Sequence, residues 1–278
     1  MSTRRHSVRR EVCRSICPAL CSIFLAFVCG PAFAAAPGDA VGKAPADGVD
    51  IHSLVTDNLK SLLVTFRLDS YDPKAGSKIS KDFGVGYKMA GSGTLRYSVP
   101  SYLQLDGRYR GVHATMVSDG FKQHVRWGPL TQDHSALHAP GKLNTLLDIG
   151  LLNDFYLSYT HAEYQGRDNV DGVVCDEFKL EYRSDMRDSS HRLVWIDPKT
   201  KVVLKRQEFA QTDGPRHGVL LATYFYEHPV EMVPDVFLPT AIAVVNADGE
   251  TVGRTSLQNI QVNVEPDEKR QTRTDAHP

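Results

Sequence analysis

The chain has 278 residues, with 32 basic against 33 acidic side chains, a formal charge of −1 and 41% hydrophobic residues. With no basic block beyond its N-terminus, it excludes nucleic acid and anionic lipid surfaces as electrostatic partners. The length suits one large domain after any targeting segment is set aside.

Such a segment opens the chain. Arg4, Arg5, Arg9, Arg10 and Arg14 precede an apolar run from Ala19 to Val28, and Ala32 to Ala34 reads A-x-A. This is the pattern of a secretory signal peptide, expected over residues 1–34 with cleavage near Ala34 and export to the periplasm. The run falls well short of the roughly 20 apolar residues that span a bilayer, and no later segment reaches that length. Removing five arginines and Glu11 leaves 27 basic and 32 acidic residues, a formal charge of −5 over 244 residues. Cys13, Cys17, Cys21 and Cys29 would leave with the peptide, so Cys175 would remain as a lone thiol. The exported domain then rests on its core rather than on disulfides.

Residues 35–48 are rich in Ala, Gly and Pro and are expected to form a flexible linker before a domain over 49–266. Asp50 stands as an N-cap before Ile51, Leu54, Val55, Leu59 and Leu62, whose spacing predicts an N-terminal helix. The period then changes to two. Leu62, Val64, Phe66 and Leu68 alternate with polar neighbours until Tyr71-Asp72-Pro73. Phe83, Val85, Tyr87 and Met89 alternate with Gly84, Gly86 and Lys88, predicting a strand with a bend or close backbone approach. In Gly93 to Leu105, Leu95, Tyr97, Val99, Leu103 and Leu105 share one face across Pro100, which marks an edge or a bend. Phe121, Val125 and Trp127 follow the Ser118-Asp119-Gly120 turn on one face.

Between Pro140 and Tyr156, Leu143, Leu146, Leu147, Gly150 and Leu151 recur at helical spacing and predict a second helix. Strands resume at Val174 to Tyr182, Leu193 to Ile196, Val202 to Phe209, Val219 to Glu227, Phe237 to Asn246 and Leu257 to Val264. Roughly ten strands or more at this spacing predict an antiparallel sheet rather than βαβ units. Residues 267–278 are charged and expected to be disordered.

Motifs of chemistry are thin. Gly91-Ser92-Gly93 lacks the spacing of a nucleophile elbow. His134 and His138 have the spacing of helical zinc ligands, but Pro140 and Gly141 follow closely and no third ligand is evident. Phosphate-cradling glycine loops are absent. Neither an enzyme nor a cofactor or metal is expected. Cys175 reads as a buried structural thiol.

Gly93 to Leu105 with its Ser118-Asp119-Gly120 turn resembles the opening strands of the LolA-like outer-membrane lipoprotein-sorting superfamily. Gly166 with Val170-Asp171-Gly172-Val173-Val174-Cys175, then Val194-Trp195-Ile196-Asp197-Pro198, then Val233 to Thr240 are similar in order and spacing. The resemblance implies a mainly β (α+β) fold: a curved antiparallel half-barrel whose concave apolar face is covered by the N-terminal helix and the second helix. It implies a periplasmic carrier for a lipid or acylated lipoprotein, with an inner- or outer-membrane protein as a further partner. The alternative is an RseB-like regulatory protein that senses envelope components and binds a membrane partner. One departure stands out. The family's carriers place an arginine before the proline as a lid latch, whereas this chain has Val99.

An apolar trough has a physical basis of its own, since burial of each acyl methylene contributes about 0.8 kcal/mol. Phe66, Tyr87, Leu95, Tyr97, Leu103, Trp127, Leu147, Phe155, Phe178, Trp195 and Phe225 are the candidate lining residues. Taken singly, a large apolar residue is more often part of an ordinary packed core than of a ligand cavity.

Overall fold

The computed structural model describes residues 48–264, apart from 82, 92, 110, 136–139 and 141–143. The expected signal peptide, most of the linker and the C-terminal tail lie outside the described residues. No helix among the described residues is long and apolar enough to cross a membrane.

Thirteen strands form one curved antiparallel sheet that does not close into a barrel. Its first half is a meander: β1 (Ser61–Tyr71), β2 (Thr94–Ser98), β3 (Tyr102–Tyr109), β4 (Val112–Asp119), β5 (Lys122–Trp127) and β6 (Leu130–Ser135). Its second half contains β7 (Thr160–Val170), β8 (Val173–Tyr182), β9 (His191–Ile196), β10 (Val203–Phe209), β11 (Leu220–Glu227), β14 (Ala241–Asn246) and β15 (Thr251–Val262). A separate ribbon pairs β12 (Val230–Val233) with β13 (Val236–Leu238). The first and last strands of the large sheet join its halves, with Phe66 opposite Leu257. β6 and β7 therefore stand at opposite edges.

Period-two patterning built this sheet as expected. Leu62, Val64 and Phe66 of β1, Leu95 and Tyr97 of β2, and Leu103 and Leu105 of β3 are buried, while Arg96 between them is exposed. Leu95 pairs with Leu105 and Tyr97 with Leu103, so the shared register across Pro100 is that of a hairpin. Val99 departs from it: it lies in the turn and its side chain is 48% exposed. Phe237 to Asn246, read as one strand, is two, because Pro239 lacks the N–H that a continuous ladder needs.

The helices differ more. The N-terminal helix is a single 3-10 turn, Ile51–Leu54, with Asp50 as its N-cap accepting from the His52 N–H. Helical spacing toward Leu62 did not persist because β1 claims the chain from Ser61. Phe83–Ala90 is an α-helix rather than a strand, packed behind a second helix, Pro73–Ile79. The signal for Pro73–Ile79 was Asp72-Pro73: the carboxylate accepts from the Lys74 and Ala75 N–H groups, and proline sits at the first turn, where it is tolerated. Gly84 does mark a close approach, since a side chain there would run into the Tyr71 ring.

Because β6 and β7 occupy opposite edges, the chain from Ser135 to Thr160 has to cross the sheet. It crosses the buried face: Asn144 lies against Met116 of β4, Asn153 against the Tyr97 hydroxyl of β2, and the Leu147 carbonyl accepts from Tyr226 of β11 at 2.7 Å. The expected second helix is two short pieces here, a 3-10 turn Leu146–Ile149 and a helix Asp154–Leu157. Gly150 divides them with φ 81°, a left-handed conformation that ends a helix.

Cys175 is fully buried, and burial together with Asp197 and Asp176 pushes its thiol up to about 12. The native protein should therefore resist iodoacetamide at pH 8 and react fully in denaturant; rapid native labelling would contradict this burial.

Candidate functional site

A cavity of about 430 Å³ lies under the crossing segment, in the size range of about 300–1,000 Å³ typical of small-molecule sites. The sheet supplies its floor through Arg192 of β9, Arg206 and Glu208 of β10 and Tyr224 of β11. Thr145, Asp148 and Tyr156 of the crossing segment face it, and Ile79 and Phe83 bring in the two helices. Phe209, Pro215 and Arg216 complete a rim beyond β10.

Register explains why charged side chains reach this interior. Arg206 pairs with Val194 on one side and Tyr224 on the other, so it shares their inward face; Glu208 and Arg192, themselves a pair, occupy the next inward positions. Arg206 is 1% exposed. Its Nη1 donates to Asp148 Oδ1 at 3.1 Å and points at the Leu147 carbonyl at 3.5 Å. Its guanidinium lies over the Tyr224 ring, 4.1 Å from the centroid. Arg192 donates to the Tyr182 hydroxyl at 2.6 Å and to Glu208 at 3.3 Å, and Tyr224 donates to the other Glu208 oxygen at 3.0 Å.

The charges in this cluster are set by their neighbours. Burial raises the Asp148 carboxyl above the ordinary carboxylate range, against the opposing pull of Arg206 and of the Thr145 N–H, which donates to it at 2.8 Å. Burial acts on Glu208 in the same sense, but Arg206 and Arg192 outweigh it and hold that carboxyl below its usual value. Burial alone would lower Arg206, yet Tyr226, Glu208 and Asp148 keep it firmly protonated. Asp148 is thus the member of the cluster closest to taking a proton.

None of the eleven lining candidates borders this cavity. Tyr97, Leu103 and Phe155 border a smaller one of about 20 Å³ beside Asn153 and Tyr159. Phe66, Leu95, Leu147 and Phe178 are buried in the continuous core, and Trp127 packs partly buried against it. Tyr87 serves the helix pair: it donates to the Ser70 carbonyl at 2.8 Å and packs on Tyr71. Trp195 and Phe225 lie apart from these. Both pair with Lys205, next to Arg206, and therefore project from the opposite face of the sheet. There Trp195 donates to Asp168 at 3.1 Å with Lys205 above its ring. An apolar hollow beneath β1–β3 is filled by the protein's own side chains, and the open space lies instead over β9–β11.

The sequence pattern did not single out Arg192, Arg206, Glu208 or Asp148. For Arg206 and Glu208 a signal was available in Val203 to Phe209, where polar residues occupy both phases of a strand flanked by apolar ones. Val99 is exposed, while Arg206, from the other half of the sheet, reaches the Leu147 carbonyl and Asp148. His134 lies on strand β6 rather than on a helix, and His138 lies outside the described residues.

No family model matches the chain, and no curated protein does. Several solved structures are similar. A proposed outer membrane lipoprotein-sorting protein domain from Vibrio parahaemolyticus is 10% identical, with a TM-score of 0.49 over 81% of this chain and 94% of that one. A LolA superfamily protein from Nitrosomonas europaea is 15% identical, with a TM-score of 0.48 over 79% and 96%. A DUF1329 family protein from Desulfovibrio piger is 13% identical, with a TM-score of 0.47 over 82% and 95%.

Proposed function

We propose that this chain is an exported, periplasmic binding or carrier protein for a lipid or acylated protein, with no catalytic role, and that the cavity over β9–β11 receives part of that ligand. The observation that carries this reading is the cavity's two-sided chemistry. Ile79, Phe83, Phe209 and Pro215 offer apolar wall, while Arg192, Arg206 and Glu208 offer a charged floor. An amphiphile matches both. Apolar walls supply the area-proportional part of affinity, and a few placed polar groups fix orientation. The Arg-rich, A-x-A leader pattern supports export, and the motif resemblance to lipoprotein-sorting proteins points to the same class of ligand.

The test is to purify the full chain from the envelope of its own cells, extract it with organic solvent and weigh the extract by mass spectrometry. Near-stoichiometric lipid is expected. After delipidation, the protein should take up the neutral fluorophore N-phenyl-1-naphthylamine and release it to added lipid. A lipid-free extract together with no fluorophore uptake would sink the reading.

A further inference from the structure

Among the groups around the cavity, the carboxylates are satisfied and the Arg206 guanidinium is not. Glu208 accepts from Arg192 and Tyr224. Asp148 accepts from Arg206 and the Thr145 N–H. Asp188 accepts from the Ser190 N–H and hydroxyl. By contrast, Nε and Nη2 of Arg206 are buried and hydrogen-bond to nothing among the described residues. Nη2 has only the Glu208 carboxylate at 3.5 Å, an ion-pair contact too long and misaligned to count as a hydrogen bond. Arg216 lines the same cavity, and its Nη1 donates to the Ile79 carbonyl at 2.6 Å. It forms no ion pair among the described residues.

These two unused atoms form one edge of a planar guanidinium, the edge whose parallel N–H bonds fit a two-oxygen anion. A buried donor without an acceptor is costly, and the residue that carries these two lines the cavity. We infer that the ligand carries a singly charged oxyanion head, a carboxylate or a phosphodiester, which seats on the Nε–Nη2 edge of Arg206 with Arg216 in the same cavity. This inference rests on the binding reading above and names the head of its ligand. A doubly charged head is disfavoured because Asp148 and Glu208 stand beside the same guanidinium. The tail then follows the apolar wall of Ile79, Phe83 and Phe209.

The experiment displaces N-phenyl-1-naphthylamine from the delipidated full chain with dodecanoate, methyl dodecyl phosphate or methyl dodecanoate. At least one charged ligand should act at a concentration at least about tenfold lower than the ester, as expected for a buried bidentate charged pair. The better of the two assigns the head as carboxylate or phosphodiester. In R206K, which keeps the charge and loses the planar fork, that ratio should fall toward one. Because Arg206 is buried, the wild-type ratio is decisive without any variant, and Arg216→Gln provides a second substitution expected to lower it. Equal displacement by ester and charged ligands overturns the head assignment and leaves the binding reading in place. A ratio preserved in both folded variants overturns the role of these arginines. Failure of the fluorophore and of all three ligands to bind overturns both readings.

Discussion

Replacing Arg206 with methionine should cost the protein about 3–5 kcal/mol of stability at neutral pH, the range found when one partner of a buried ion pair is removed. Methionine fills much of the same volume, so the cost comes from what remains behind. Asp148 would keep the Thr145 N–H and lose its only cation, while Glu208 would keep Arg192 and Tyr224. The deficit should depend on pH in a set direction. Burial already raises the Asp148 carboxyl, and removing Arg206 takes away a lowering influence. The folded variant would then bind a proton over a window where the unfolded chain does not, from the ordinary Asp value upward. Stability falls with rising pH wherever the native state binds more protons, so the variant should lose stability across that window and recover it on acidification. Adding Asp148→Asn should restore part of the loss, since the stranded charge is then gone. Urea denaturation of the single and double variants from pH 4 to pH 8 measures all of this. A single variant as stable as wild type throughout would show that water reaches Asp148.

Most of the sheet was legible in the sequence because a strand's side-chain period is local. Leu62, Val64 and Phe66, or Leu95, Tyr97, Leu103 and Leu105, declare their face without reference to any other segment. The helices were not legible in this way. Leu143 to Leu151 has helical spacing, but Leu146, Leu147 and Leu151 are spent on an irregular crossing whose course depends on β6 and β7 lying at opposite edges. Topology of that kind is a property of the whole chain. Phe83 to Met89 alternates like a strand, and the Asp72-Pro73 start signal belongs to the preceding helix, Pro73–Ile79. The site was legible least of all. Large apolar residues were sought, yet those residues could fill their own space, and they did. What could not be filled was the region where Arg192, Arg206 and Glu208 carry charge into the interior, because buried charges need partners and geometry that close packing alone does not provide. Trp195 and Phe225 each alternate regularly with a residue of the cavity side, Val194 and Tyr224, and alternation by itself does not say which of its two phases faces inward.

The second large effect is expected at Gly150, where two costs coincide. Its φ of 81° is left-handed, which adds about 1–2 kcal/mol for a residue with a side chain. A Cβ there would also meet the Tyr226 ring at 2.8 Å, closer than packed carbon atoms approach. Gly150→Ala should therefore destabilise by about 2–4 kcal/mol in total, the excess being overpacking. Gly249 provides the control, with φ 78° and nothing within 4 Å of where a Cβ would sit, so Gly249→Ala carries the backbone cost alone. The difference between the two variants isolates the contact with Tyr226. That contact matters beyond stability, because the Tyr226 hydroxyl donates to the Leu147 carbonyl while the Val203 N–H donates to the Gly150 carbonyl at 2.9 Å. Displacing the ring would loosen the crossing segment at the point where it roofs Arg206 and the cavity. Amide exchange at Asp148 and Gly150, whose N–H groups bond within this turn, should then accelerate in Gly150→Ala and stay unchanged in Gly249→Ala. Equal stability losses in the two variants, with no change in exchange, would mean that the Tyr226 ring gives way freely and does not hold the segment down.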